Sequence, residues 1–244
     1  MKAVEVKNLT KKYKDKTAVD SISFSVEKGE LFALLGVNGA GKTTTIKILS
    51  CLSNPTSGEA YINNYSCTSD SNSVKSATGI SPQETSVAEN LTIRENLEFI
   101  ASVYGFDKNK IKLQTDKMIQ LFNMKEVENS RAKTLSGGWK RKLSIAMALI
   151  SEPKVLFLDE PTLGLDVLAR RELWTAIESL KGKITIILTT HYMEEAEHLS
   201  DKIAIMVNGR ISAIGTISEI EKIAGKTGLE NAFVEIAKRS MKNA

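Results

Sequence analysis

The sequence predicts an α/β fold, in which a parallel sheet covered by helices is joined to an antiparallel β subdomain and interrupted by an inserted α-helical subdomain. Three observations predict this fold. Residues 3–9 and 21–26 alternate apolar and polar side chains, as strands do in an antiparallel sheet with one solvated face. Toward the C-terminus, short apolar runs alternate with helical patterns, which indicates a parallel sheet. Between these regions, residues 84–152 carry helical patterns and little strand signal.

The N-terminal elements follow from local patterns. Residues 30–36, ELFALLG, form a short continuous apolar run and are predicted to be a fully buried strand. Residues 43–52, TTTIKILSCL, place apolar side chains on one face of a helix. Residues 54–64, NPTSGEAYINN, predict a turn that enters another short strand.

The remaining elements are predicted in the same way. Thr92 and Glu95 have the spacing of a capping box, which places a helix start inside the insertion. The later segments with strand patterns are KVLFLD, ITIILTT and KIAIMVNGRI, and those with helical patterns are ARRELWTAIESL and MEEAEHL. We therefore expect one domain over residues 1–215, with the insertion at about 84–152, and a short helical tail over 216–244.

Composition limits the possible functions. The net charge of +4 gives no reason to propose a nucleic-acid partner. The basic ending AKRSMKNA suits either a solvated tail or an anionic membrane surface. The sequence has no run of 18 apolar residues, and its start lacks the apolar core of a signal peptide, so we expect a cytosolic chain. Cys51 and Cys67 are too few for a disulfide framework and lack metal-ligand spacing.

Residues 36–43, GVNGAGKT, fit the phosphate-binding pattern G-x-x-x-x-G-K-[ST] between a predicted buried strand and a predicted helix. Glycines allow successive backbone N–H groups to converge on phosphate oxygens, and the helix N-terminus adds a positive dipole. Lys42 is expected to reach the β- and γ-phosphates, Thr43 to bind Mg²⁺, and Thr44 to contact the α-phosphate. The predicted nucleotide contacts here are Asn38, Gly39, Ala40, Gly41, Lys42, Thr43 and Thr44. The pattern predicts a P-loop NTPase core.

A second pattern, VLFLDEP, ends a predicted buried strand with two carboxylates. Asp159 stands where a carboxylate binds the magnesium ion directly or through water. Glu160 follows it and can polarise the attacking water as a general base. An acidic pair at a strand end is common by itself, and it is the phosphate-binding pattern that favours the catalytic interpretation.

With these residues in place, the sequence resembles the ATPase subunits of the ATP-binding-cassette (ABC) family over nearly its full length. The segment TLSGGWKRKL is similar to the family's signature, usually LSGGQ. Gln83 in GISPQET resembles the Q-loop glutamine, Asp166 in LGLD ends a D-loop, and His191 in TTHYMEEA resembles the switch histidine. Tyr13 occupies the aromatic A-loop position, and all motifs stand in the family's order. The guanine-reading pattern N/T-K-x-D is missing, which favours ATP over GTP.

The resemblance implies a role for each of these residues. Tyr13 would stack on adenine, with Val19 as a further nucleotide contact, although Tyr13 is equally compatible with a surface aromatic. Gln83 would reach the magnesium ion and the water, and would link the site to the helical insertion. His191 would contact the γ-phosphate and help fix the water. Asp166 would lie at a dimer interface or cap the following helix.

The signature segment implies a second subunit. Ser136 can cap a helix while Gly137 and Gly138 leave backbone N–H groups uncovered, which suits a γ-phosphate. In ABC proteins this element contacts the ATP held by the opposite subunit, so the resemblance implies two sites between two head-to-tail subunits. Trp139 departs from the usual glutamine, and we expect it to tune the interface rather than inactivate the site.

The same resemblance suggests which partners the chain has. KRKLSIAMALI, GLDVLARRELW and LENAFVEIA resemble the ABC-2 type group of exporters. This implies a polytopic membrane permease, a second ATPase subunit that is a homodimer partner or a related chain, and a position at the inner face of the cell membrane. Two alternatives stay open: a soluble ABC ATPase, for example in iron–sulfur cluster assembly, and a nucleotide-sensing regulator without useful turnover. Glu160 and His191 argue against the regulator, and the transported substrate is not readable from this sequence.

Overall fold

The computed structural model describes residues 1–242. The strands are β1 (Lys2–Tyr13), β2 (Lys16–Glu27), β3 (Leu31–Leu35), β4 (Ser57–Ile62), β5 (Tyr65–Ser66), β6 (Thr78–Ser81), β7 (Val155–Asp159), β8 (Thr185–Thr190), β9 (Lys202–Val207) and β10 (Arg210–Gly215). The helices are α1 (Lys42–Leu49), α2 (Ser71–Ala77), α3 (Ile93–Val103), α4 (Lys108–Leu121), α5 (Gly137–Leu149), α6 (Val167–Glu178), α7 (Met193–Leu199), α8 (Ile217–Ala224) and α9 (Leu229–Lys242). The last two residues of the predicted tail, 243 and 244, lie outside this range.

Two sheets form the framework. The smaller sheet has the strand order β2-β1-β4-β5 and is antiparallel throughout. The larger sheet has the order β10-β9-β3-β8-β7-β6, in which β6, β7, β8, β3 and β9 are parallel and β10 is antiparallel to β9. An antiparallel sheet therefore accompanies a mainly parallel one, as the two kinds of periodicity in the sequence indicate.

The parallel sheet brings the carboxyl ends of β3, β7 and β8 together. Strand β8 lies between the other two, with Leu35 of β3 opposite Thr190 and Asp159 of β7 opposite Thr189. Loops that follow these three strands must therefore start side by side at one edge of the sheet, where ligands bind in open α/β sheets.

The larger sheet is buried on both faces. In β3, Ala33 and Leu35 belong to the core shared with the helices, whereas Phe32 and Leu34 belong to the core shared with the antiparallel sheet and α1. Successive side chains of a strand point to opposite faces. The continuous apolar run of β3 is explained because both faces pack against other layers.

Helices α3, α4 and α5 lie between β6 and β7 in the chain. The predicted capping box at the start of α3 is confirmed: the Glu95 N–H donates to Thr92 Oγ1 at 3.1 Å, and the Thr92 N–H donates to Glu95 Oε2 at 2.8 Å. Sequence reasoning missed α2 and β6. Both are short, and the four residues of β6, TGIS, hold a single large apolar side chain.

Helices α8 and α9 pack on the large sheet. Leu229, Phe233 and Ile236 of α9 are buried in the same core as α5 and α6. Cys67 is buried, whereas Cys51, which we expected in the core, is half-buried and ends α1 with φ of 56°. Within residues 1–242, none of the helices combines the length and the apolar character needed to cross a bilayer.

Candidate active site

The phosphate-binding pattern forms the turn between β3 and α1. Gly41 precedes the first helical residue with φ of 106°, a backbone conformation that suits glycine. A Cβ atom on Gly41 would lie 2.4 Å from the carbonyl oxygen of Ala18, so this residue also allows a close approach of two backbone segments. The first N–H groups of α1 have no partner within the helix and are available to an anion.

An open pocket of about 400 Å³ lies over this turn. Its lining comprises Tyr13, Lys16, Ala18, Asn38, Gly39, Ala40, Gly41, Lys42, Thr43, Thr44, Gln83 and Glu160. Most of the predicted nucleotide and catalytic residues are thus gathered around one cavity. Tyr13 is exposed there, and Lys11 Nζ lies 5.0 Å from the centre of its ring.

The prediction for Val19 needs correction. Its side chain is fully buried in the core between the antiparallel sheet and the large sheet, and it does not line the pocket. Neighbouring residues of a strand point to opposite faces, so Ala18 lines the pocket instead. Lys16, the cross-strand partner of Tyr13, lines it as well, and sequence reasoning missed both residues.

Glu160 lies between the two predicted cationic residues of the site. Its Oε1 is 3.1 Å from Lys42 Nζ, and its Oε2 is 2.7 Å from His191 Nδ1. Lys42 Nζ also donates to the carbonyl oxygen of Gly36 at 2.6 Å. The carboxylate and the ammonium are each 5% exposed, so the pair is shielded from water. Removing either charge would leave the other buried without its partner.

Asp159 lies beside the start of α1. Its Oδ1 accepts a hydrogen bond from Thr43 Oγ1 at 3.1 Å and another from Thr189 Oγ1 at 2.5 Å. A threonine hydroxyl and a carboxylate at this separation are hard oxygen ligands of the kind that Mg²⁺ prefers, and phosphate oxygens and water would complete its octahedron. The predicted ligands Thr43 and Asp159 therefore fit a magnesium ion. The third predicted ligand, Gln83, has an exposed side chain on the same pocket.

The backbone at Glu160 is unusual for a residue with a side chain. Its φ is 49°, in the left-handed region, and its N–H donates to Thr189 Oγ1 and to the Thr189 carbonyl oxygen, each at 3.1 Å. Such a conformation persists only where the surroundings fix it, and it is frequent at functional sites. Here it turns the side chain at the end of β7 toward Lys42 and His191.

Arg141 holds the segment that carries Gln83. The guanidinium, 4% exposed, donates to the carbonyl oxygen of Pro82 at 2.6 Å and to that of Gln83 at 2.5 Å. Burial lowers the pKa of Arg141, and the carboxyl groups of Asp159 and Glu195 oppose this effect. Arg141 belongs to the signature helix α5, so this helix is tied directly to the Gln83 segment.

The signature residues lie elsewhere in the chain. Ser136 caps α5 by accepting a hydrogen bond from the Trp139 N–H at 3.5 Å, and Ser136 and Gly137 are exposed. Together with Gly138 they stand apart from the residues that line the P-loop pocket. Asp166 caps α6 through the N–H groups of Leu168 and Ala169, at 2.9 and 3.0 Å. Its predicted alternative as a helix cap is confirmed, and this leaves its predicted place at an interface open.

Sequence reasoning missed Arg141 and Thr189. Arg141 has a signal, because it is four and eight residues before Ile145 and Leu149 and therefore shares their buried helix face. Thr189 has none, since its role depends on which strand neighbours β7. Trp139 is half-buried, and Lys142 Nζ lies 4.3 Å from the centre of its ring.

Comparison with known proteins follows the same lines. A family model described as ABC transporter matches residues 19–163. The phospholipid-transporting ATPase ABCA3 of Homo sapiens is 41% identical over 217 residues, which make up 87% of this chain and 13% of that protein. The daunorubicin resistance ATP-binding protein DrrA3 of Streptomyces coeruleorubidus is 36% identical over 224 residues, which make up 91% of this chain and 71% of that protein.

A solved structure described as the ATP-binding subunit of an ABC transporter superposes with a TM-score of 0.86 at 33% identity. The match covers 96% of this chain and 99% of that one. It confirms the predicted fold class, a P-loop NTPase core with an antiparallel β subdomain and an inserted helical subdomain. The chain spans a small part of ABCA3 and most of the other two proteins.

Proposed function

The chain belongs to the ABC transporter family and is an ATP-binding-cassette ATPase, and from that premise we propose that it energises export through a separate membrane-spanning partner. In this proposal two copies of the cassette close on two ATP molecules, and hydrolysis lets them separate. The observation that carries the proposal is the position of Glu160 between Lys42 and His191 beside the phosphate-binding turn.

Glu160 is the general base of the proposed hydrolysis. Its buried carboxylate is held by His191 on one oxygen and by the backbone of Thr189 at its own N–H. A base fixed in this way loses little entropy when it accepts the proton of the attacking water. His191 orients the carboxylate and presents its other ring nitrogen to the γ-phosphate.

Lys42 and the N-terminus of α1 supply the positive field of the site. Phosphate oxygens would compete with Glu160 for the ammonium of Lys42, because the two groups are only 3.1 Å apart. Binding of ATP then frees the carboxylate for its role as base. A magnesium ion bound by Thr43 and Asp159 would neutralise charge on the β- and γ-phosphates.

The second copy is needed because Ser136, Gly137 and Gly138 are exposed and distant from the P-loop pocket of their own chain. In a head-to-tail pair they would face the γ-phosphate bound by the partner. ATP then favours the closed pair because it contacts both subunits there and one subunit in the open state. Loss of the γ-phosphate removes the contact that the signature segment makes.

A groove of about 410 Å³ between the large sheet and helices α3 and α5 supports a membrane partner. Its wall includes the exposed apolar side chains of Leu52, Val103 and Tyr104. Pro82 lines this groove while Gln83 lines the P-loop pocket, so one segment borders both. A short apolar helix of a membrane subunit, seated in the groove, would sense the state of the ATP site through this segment.

The direction of transport is proposed from the relatives. One is a daunorubicin resistance ATP-binding protein, and another is a probable multidrug ABC transporter ATP-binding protein of Escherichia coli. Resistance to a toxic compound requires its removal, so these names favour export. The predicted position at the inner face of the cell membrane follows from the same partner.

The test is co-expression with the polytopic membrane protein encoded beside this chain. We expect a complex with two cassettes, Mg²⁺-dependent phosphate release, and a faster rate than for the isolated chain. Val103→Asp, in the groove, is expected to abolish the complex and leave the isolated ATPase rate unchanged. Val234→Asp, on the exposed face of α9, is the matched control and should leave both unchanged. An active cassette that binds no membrane protein would favour the soluble ATPase alternative.

A further inference from the structure

Glu195 is a carboxylate that the proposed mechanism does not use. It lies on α7, four residues after His191, and its exposure is 0%. Within residues 1–242, no ion pair includes it. The nearest charged groups that act on it are the Glu160 carboxylate, of like sign, and the Arg141 guanidinium, which is engaged by two backbone carbonyl groups. An ionised Glu195 would therefore be a buried charge without a cation.

Three elements meet at this carboxyl group. The Trp174 indole N–H of α6 donates to Oε1 at 3.3 Å. The hydroxyl groups of Thr190, at the end of β8, and Thr162, two residues after Glu160, lie beside it. Among the described residues, Oε2 of Glu195 and Oγ1 of Thr162 are both buried and complete no hydrogen bond.

Physical chemistry favours the neutral acid at this position. Burial raises the pKa of Glu195, and the nearby Glu160 carboxylate acts in the same direction, whereas the hydroxyl and indole donors partly offset the rise. A protonated carboxyl carries one O–H donor, which an ionised one lacks. That proton can satisfy a buried oxygen, and it also spares the γ-phosphate site a further negative charge.

We infer that Glu195, as a neutral acid, is a positioning residue that ties the segment after Glu160 to the end of β8 that carries His191, with Trp174 of α6 as its third support. This inference rests on the proposed ATP hydrolysis, since it concerns the placement of the base and the switch histidine. Glu195 touches neither of them directly. It fixes the two backbone segments from which they project.

The test compares Glu195→Gln with Glu195→Ala in the full chain. Glutamine keeps the size of the neutral acid and a donor, so we expect wild-type kcat and KM and a superimposable pH profile from 6 to 9. Alanine removes the tie, and a displacement of catalytic groups of the order of an ångström costs about a hundredfold in rate. We expect kcat to fall about ten- to a hundredfold with KM for ATP nearly unchanged.

Two results would overturn the inference. One is a glutamine variant that loses as much activity as the alanine variant, which would show that the negative charge is required. The other is an alanine variant with wild-type kcat. If the alanine variant fails to fold, Thr162→Val decides, because it removes the opposite hydroxyl at constant size. A reduced kcat in that variant, with an active glutamine variant, supports the tie, and full activity overturns it.

Failure of the proposed function gives a different result. In that case the wild-type chain itself releases no phosphate with Mg²⁺ and ATP, alone or with its membrane partner. Failure of the present inference leaves an active wild-type enzyme with the wrong order among the variants. Combining Glu195→Ala with Thr162→Val should cost no more than either change alone, since both break the same contact.

Discussion

Replacing Glu160 by glutamine separates catalysis from binding at this site. Glutamine has the size of glutamate, and the backbone at residue 160 is fixed by its own N–H bonds to Thr189, which the substitution leaves intact. The amide can still meet His191 at the 2.7 Å position. The changes are the lost negative charge opposite Lys42 and the lost basicity.

The magnitude follows from these two losses. General-base assistance contributes about two to four powers of ten in rate, which corresponds to about 2.7–5.4 kcal/mol in activation free energy. Affinity for ATP should stay equal or increase, because Lys42 no longer has to leave a buried carboxylate 3.1 Å away. The variant should therefore bind ATP, fail to hydrolyse it, and accumulate as the closed dimer.

The assay is phosphate release at saturating Mg²⁺ and ATP, with nucleotide titration and light scattering on the same samples. Glu230→Gln makes the same chemical change on an exposed face of α9 and should behave as wild type. If Glu160→Gln keeps a kcat within threefold of wild type, the base is another group and the reasoning is wrong. If it no longer binds ATP, the carboxylate holds the turn rather than activating water.

Three further predictions test the rest of the site. Gly41→Ala should weaken ATP binding at least tenfold in a nucleotide titration, because its Cβ atom would lie 2.4 Å from a carbonyl oxygen, whereas Gly39→Ala, at similarly positive φ but with nothing within 4 Å, should lose much less; equal losses would refute the steric argument. Tyr13→Phe should keep the affinity for ATP and Tyr13→Ala should lower it several-fold, since adenine stacks on a ring face; an unchanged alanine variant would make Tyr13 a surface aromatic. Burial raises the pKa of Cys67 to about 12, so about one thiol in ten thousand is ionised at pH 8, and a thiolate-specific reagent should label it only after denaturation; rapid labelling of the native protein would contradict this.

The motifs could be predicted because their chemistry depends on neighbours in the chain. The turn over residues 36–43 needs glycines, a lysine and a threonine at fixed spacing, and the structure places them between a buried strand and a helix, as expected. The capping box of α3 is equally local. Val19 was predicted wrongly for a reason of the same kind, since a shift of one residue in a strand reverses the face and only the packed sheet shows which face is covered.

Other features depended on strand order and packing. Thr189 reaches Asp159 because β8 lies next to β7, and Arg141 reaches the Gln83 segment across about 60 residues of chain. A buried charge such as Glu195 reads as an ordinary helix residue in MEEAEHL, because the sequence does not state what packs around it.

By itself, the sequence determined the alternation of strands and helices, the phosphate-binding turn and the pair of carboxylates, since each rests on periodicity or on spacing within a few residues. Tertiary structure alone decided that Lys42, Glu160 and His191, from the ends of three different strands, meet within 3.1 Å. The physical reason is that a parallel sheet aligns the carboxyl ends of strands that are far apart in the chain, and the order of those strands is fixed by how both faces of the sheet are buried.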